Sequence, residues 1–240
     1  MGSKVLFWLE DPRLTLANLH NPAYFVGGKT IVGALAGGLI TVELIKRYIG
    51  LRTSTGDLYA IPLAAGIAIG RIGCFLTGLA DNTYGTPTNL PWAINFGDGI
   101  PRHPTQLYEI VFLLALIPFL FRIQKRIVIL SGAAAKQSEA AAESKDPVLA
   151  AAITGTARSS QLGTRDSHPA PALIPGDAFK LFMIAYMTFR LLCDFLKPYP
   201  RLFLGLGTIQ LTCVAILLYY SRDIARWLTH SRVHSTALSS

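Results

Sequence analysis

The chain has 240 residues, of which 51% are hydrophobic and only 15% charged, against roughly 25% charged in soluble domains. This balance excludes a disordered chain and argues against an ordinary soluble domain. Three cysteines are too few and too scattered for a disulfide framework or a zinc site. The net charge of +8 would suggest nucleic acid in a soluble protein, but one side of a bilayer in a hydrophobic one.

Residues 1–28 lack a basic segment followed by an apolar run, so no secretory signal is expected there. Five later stretches approach the roughly 20 apolar residues that a spanning helix needs. They are 29–48, 57–78, 105–124, 178–197 and 203–220. Residues 79–104 form a Pro- and Gly-rich loop. Residues 131–176 are dominated by Ala, Ser, Thr, Gly and Pro without a sustained apolar period, which predicts a flexible linker. The expected fold is an all-α polytopic integral membrane protein with about five transmembrane helices, an irregular outer loop and a flexible cytoplasmic linker. Residues 1–130 and 177–240 would then be the two parts of the membrane domain.

The basic residues orient the spans. Of 22 Lys and Arg, 13 lie at or just beyond the end of the first span (Lys46, Arg47 and Arg52), in 122–176 or in the tail after the fifth span. Loop 79–104 has only Arg102. With five alternating spans the three basic segments share one side, which the positive-inside rule makes cytoplasmic. Loop 79–104 then faces outward.

Charges within apolar spans cost about 2.5–3.5 kcal/mol on insertion scales and mark function by default. Arg71 interrupts the second span. Arg190 and Asp194 stand at i, i+4 in the fourth, on one helical face with Tyr186 a turn before. They read either as a self-neutralising pair or as a phosphate site, because guanidinium offers paired donors to phosphate oxygens. Gly66, Gly70 and Cys74, like Gly33, Gly37 and Thr41, recur every fourth residue and predict close helix packing. In the outer loop, Gly85, Gly97 and Gly99 suit positive φ or tight turns. Pro104 fits the first position of the third span, which places Gln106 and Glu109 in its first turns. The cysteines, all in apolar spans, are expected to be structural.

Residues 70–109, GRIGCFLTGLADNTYGTPTNLPWAINFGDGIPRHPTQLYE, resemble the signature region of prolipoprotein diacylglyceryl transferases, with RHPTQLYE the most specific part. FRLLCDFLK followed by LGLGTIQ resembles the family's closing region, and the likeness runs from about residue 21 to 220. The resemblance implies a multi-pass protein of the bacterial inner membrane with its active face periplasmic. It implies transfer of the diacylglyceryl group of phosphatidylglycerol to the lipobox cysteine of a preprolipoprotein, with membrane lipid and the lipobox segment as partners. No cofactor, metal or nucleic acid is implied.

By the same resemblance Arg71 and Arg190 are the phosphate-handling pair, and Gly85 closes the signature. Gln106, Tyr108, Glu109, Asp194 and Lys29 are expected on the substrate side. The family carries a histidine in a segment like SFHGGLIG; here TIVGALAG places Val32 at that point. Cys74 and Thr77 replace family asparagines, and family members have hydrophobic spans ahead of this region, which residues 1–28 do not offer. With valine at position 32, an active enzyme needs another base. His103 and Lys29 are the two candidates, and His103 is preferred because a neutral imidazole accepts a proton near pH 7. A non-catalytic lipid- or lipoprotein-binding relative and a small-solute transporter component are the alternative readings.

Overall fold

The computed structural model describes residues 1–51, 53–143, 173–197 and 205–228. Three short helices lead: α1 (Gly2–Glu10), α2 (Pro12–Ala17) and α3 (Pro22–Val26). Asp11 ends α1 and caps α2, its Oδ1 accepting from Leu14 N at 3.0 Å, with Pro12 in the first turn. Asn21 and Pro22 repeat the device for α3. Lys4 Nζ donates to the carbonyls of Phe25, Val26 and Gly27, tying α1 to the end of α3. Residues 1–28 are therefore organised structure.

Five longer helices overlap the five apolar stretches. They are α4 (Ile31–Ile49), α5 (Asp57–Thr77), α6 (Thr105–Glu143), α7 (Asp177–Asp194) and α8 (Thr208–Tyr219). Residues 221–228 are helical as well. Among the described residues, Asp57–Asp81 and Thr105–Ala133 are long and apolar enough to cross a membrane, and only 17% and 28% of their apolar windows are buried. Outward-facing Leu58, Leu76, Val111 and Val128 leave apolar surface that a soluble helix would cover. The charges of α4 and α7, and the 12-residue length of α8, keep those three from meeting the same measure.

Alanine-rich sequence after Leu130 has high helix propensity, and α6 runs on to Glu143. Helix thus occupies the first part of the segment expected as linker, and residues 144–172 lie outside the described residues. Pro104 precedes α6 instead of occupying its first position: its carbonyl accepts from Leu107 N and Tyr108 N at 3.0 and 3.2 Å.

α5 and α6 pack antiparallel. Arg71, late in α5, meets Glu109, early in α6, while Gln124 Nε2 donates to the Asp57 carbonyl at the far end. The Asp57 carboxylate in turn accepts from Gly176 N at 2.5 Å and Phe179 N at 3.1 Å, which docks the start of α7 beside the start of α5. Leu113, Leu120, Phe182, Met183, Tyr186 and Met187 fill the core between α5, α6 and α7, with Cys213 and Ile216 of α8 closing it. Cys193 and Cys213 are buried, as expected of structural thiols.

The small-residue stripes divide. Gly33 and Gly37 meet α1 closely: a Cβ at Gly33 would lie 2.6 Å from Gly2 O, and one at Gly37 would lie 2.9 Å from Gly2 Cα. Gly66 and Gly70 have nothing within 4 Å of such a Cβ. The packed face of α5 is instead Ala60, Ala64, Ala68 and Arg71. Spacing alone did not choose between the two faces of α5, because both carry small residues at helical period.

Candidate functional site

Arg71 is carried to the centre of the protein by that alanine stripe. It is 5% exposed, and Arg190 on α7 is 4% exposed. Both reach Oε2 of Glu109, which is 1% exposed: Arg71 Nε lies 2.9 Å away and Arg190 Nη1 3.2 Å away. The Arg190 contact is an aligned hydrogen bond. The Arg71 contact is close but poorly aligned, an ion pair more than a hydrogen bond. Tyr186, on the same helix as Arg190, donates its hydroxyl to Oε1 at 2.7 Å. Asp194 stands one turn beyond, with its Oδ1 3.9 Å from Arg190 Nη2. Two guanidinium groups are thus paired with and oriented from behind by one carboxylate, in a setting where an unpaired charge would be costly.

The arginines open onto a cavity of about 630 Å³. Lys29, Cys74, Asp81, Thr83 and Lys197 also line it, and α1 contributes Phe7 and Glu10. The cations Arg71, Arg190 and Lys197 are its buried charges, each at most 5% exposed, whereas the acids Glu10, Asp11 and Asp81 are half-buried. Arg71 Nη1 points to Cys74 Sγ at 3.8 Å, so this thiol is part of the wall and not only packing. Asp81 Oδ2 accepts from Thr83 Oγ1 at 2.5 Å. Burial, followed by the nearby Asp194 charge, raises the Glu10 carboxyl from its ordinary value of 4.5 to about 7, against the opposing pull of Lys197 and Arg190.

The remaining predicted site residues fall into two groups. Gln106, 1% exposed, braces the wall from behind: its Nε2 donates to Thr83 Oγ1 at 3.1 Å, while Thr105 Oγ1 donates to Thr83 O at 2.6 Å. Gly85, His103 and Tyr108 form a separate corner. Gly85 N donates to His103 O at 2.9 Å, His103 N to Thr86 O at 3.1 Å, and Thr86 N to Leu196 O at 2.7 Å. The outer loop is thereby tied to the end of α7. His103 Nδ1 pairs with Tyr108 OH at 3.1 Å, and Trp92 Nε1 donates to the same hydroxyl at 2.8 Å.

Neither His103 nor Tyr108 lines the cavity, so a direct proton transfer by His103 does not fit this placement. Gly85 is glycine for want of space and not for positive φ: a Cβ would lie 2.6 Å from His103 Cβ. Gly97 and Gly99 do take positive φ, 108° and 80°, in the turn of a short hairpin pairing Ile94–Asn95 with Pro101–Arg102. Arg102 bonds Asp98 there at 2.7 Å and holds that carboxyl below its usual range.

Sequence reasoning missed Glu10 and Lys197. Their one local signal was charge at the end of an apolar helix, which reads equally as a solvated terminus. Val32 is 1% exposed, covered by α1, so its position does not open onto solvent. Among the described residues no group of three or more His, Cys, Asp or Glu is arranged to hold a metal ion.

The profile of the prolipoprotein diacylglyceryl transferase family matches residues 4–139, more than half of the chain. The chain belongs to that family. Its match begins well before residue 21 and takes in α1, and it ends before α7. Curated relatives named phosphatidylglycerol–prolipoprotein diacylglyceryl transferase agree. The Bordetella parapertussis protein is 36% identical over 114 residues, covering 41% of this chain and 42% of its own length. That of Methylocella silvestris is 33% identical over 141 residues, 50% of each chain, and that of Finegoldia magna is 40% identical over 106 residues, 42% of this chain and 40% of its own. The chain thus spans between two-fifths and half of the length of these relatives. No solved structure matches. The family assignment and the two apolar helices make this a membrane-associated, mostly helical protein.

Proposed function

We propose that the chain transfers the diacylglyceryl group of phosphatidylglycerol to the lipobox cysteine of a preprolipoprotein. The observation that carries the reading is the convergence of Arg71 and Arg190 on Glu109 at the wall of a cavity of about 630 Å³. The phosphodiester of the lipid sits against the two guanidinium groups, whose charge stabilises the departing glycerol phosphate. Glu109 and Tyr186 hold the arginines in place, so that little reorganisation is needed as charge develops. Asp194 steadies Arg190. Lys29 stands at the wall, as does Lys197, whose ammonium is lowered to about 7 by burial and the Arg190 and Arg71 charges. Gln106 supports the Thr83 side, and the corner of Gly85, His103 and Tyr108 fixes the loop over α7.

The same reading places all five longer helices across a bacterial inner membrane, with loop 79–104 on the periplasmic side. The apolar exterior of α5 and α6 supports it, as does the concentration of basic residues away from that loop.

The test is lipid transfer by the purified chain from phosphatidylglycerol to a lipobox peptide, compared with Arg71→Lys and Arg190→Lys. Lysine offers no bidentate contact, so each variant should lose about 10²-fold or more, the cost of removing one oriented charge stabiliser. Full transfer by both lysine variants would remove the clamp from the mechanism.

A further inference from the structure

Transfer of an alkyl group to a thiol needs a proton acceptor, because a thiol of ordinary pKa ~8.5 is mostly protonated at pH 7. The cavity wall offers a short set of candidates; Lys197 lines it too, its ammonium lowered to about 7 by burial and the Arg190 and Arg71 charges, and Lys197→Met is the control for it. Asp11 spends its carboxylate on the cap of α2, accepting from Leu14 N at 3.0 Å. Asp81 accepts from Thr83 at 2.5 Å. Lys29 is exposed. Glu10 differs. It ends α1 and lines the cavity together with Arg71 and Arg190.

Resting on the transferase reading, we propose that Glu10 is the general base that takes the proton of the acceptor thiol. The Glu10 carboxylate removes the S–H proton. The sulfur attacks the diacylglyceryl carbon that bears the phosphate ester, forming the S–C bond. The C–O bond breaks, and its electron pair leaves on the phosphate oxygen, beside Arg71 and Arg190. The proton on Glu10 then passes to the departing glycerol phosphate or to water, which restores the carboxylate.

The charges around Glu10 make this workable. Asp11 lies next to it in the chain, and Asp194, Arg190 and Lys197 act on it from the end of α7. Arg71 and Cys74 of α5, Lys29 ahead of α4, and Asp81 share the wall. With its carboxyl near 7, Glu10 is about half ionised at neutral pH and is a stronger acceptor than an ordinary carboxylate. The close approach of Gly2 to Gly33 and Gly37 sets α1 over α4, and this is what brings Glu10 to the cavity and buries Val32.

The experiment uses the full chain in phosphatidylglycerol nanodiscs with a lipobox peptide, following rate against pH from 5 to 9. Glu10→Gln should lower transfer about 10²-fold or more, the usual contribution of a general base, with lipid and peptide affinities unchanged. Wild type should show an acid limb near pH 7, and Glu10→Asp should keep part of the rate with that limb displaced. Transfer by Glu10→Gln at the wild-type rate, with the limb in place, would overturn the role of Glu10 and leave the transferase reading standing. Absence of transfer by wild type would overturn both. Should Glu10→Gln fail to fold, the Glu10→Asp profile decides, since an acid limb that does not move shows that another group titrates.

Discussion

Arg71 of α5 and Arg190 of α7 meet on a single atom, Oε2 of Glu109, at 2.9 and 3.2 Å. Tyr186 occupies the other carboxylate oxygen at 2.7 Å. Three helices are joined at this point, and each guanidinium is fixed by a carboxylate that carries no part of the substrate. The arrangement orients two cations toward one cavity while keeping them soluble in an apolar interior.

Glu109→Gln leaves Arg71 and Arg190 facing each other without the carboxylate they share, with Asp194, 3.9 Å from Arg190, as the remaining counter-charge. Breaking a buried pair by removing one partner costs about 3–5 kcal/mol. The variant should show a markedly lower melting temperature in detergent, read by intrinsic fluorescence, and little residual transfer. Glu109→Asp should recover part of the stability, since it keeps the charge on a shorter stem.

Gly85→Ala tests the corner. The added methyl would meet His103 Cβ at 2.6 Å and the carbonyls of His103 and Leu196 at 3.0 Å. Backbone must shift, at the roughly 1–3 kcal/mol typical of overpacking. Thermal unfolding should report that loss. If His103 acts only through this corner, His103→Gln should transfer lipid within a few-fold of wild type from pH 6 to 8.

Topology can be read by labelling single introduced cysteines in intact cells. Asn89→Cys, in the outer loop, should react with a membrane-impermeant reagent, and Ser138→Cys should not. The reverse pattern would turn the protein over in the bilayer and set the cavity on the cytoplasmic side.

Glu10 also predicts a pH dependence of stability. Its carboxyl lies near 7 in the folded chain against an ordinary 4.5, so the folded state binds the proton more tightly. That contribution is full below about 4.5 and is lost as pH rises through 7. Relative to Glu10→Gln, wild type should therefore lose melting temperature between pH 5 and 8. Equal temperatures across that range would place Glu10 in a less buried setting.

The five longer helices were legible in the sequence, because apolar runs act locally, and Pro104 marked the start of α6 to within one residue; the three short helices of residues 1–28 were not. Arg71 and Arg190 stood out for the same reason, since a charge inside an apolar run is improbable without a use. RHPTQLYE carried the family. What the residues could not reveal was which faces meet. Two stripes of small residues on α5 were equivalent in sequence, and only packing against α6 and α7 selected Ala60, Ala64 and Ala68 over Gly66 and Gly70. His103 looked available for chemistry until the loop folded it onto Tyr108. Glu10 looked like a helix end until α1 settled across α4 through Gly2, Gly33 and Gly37. Helix formation depends on neighbours three and four residues away; a site depends on contacts between elements far apart in the chain, and those are decided only when the helices pack.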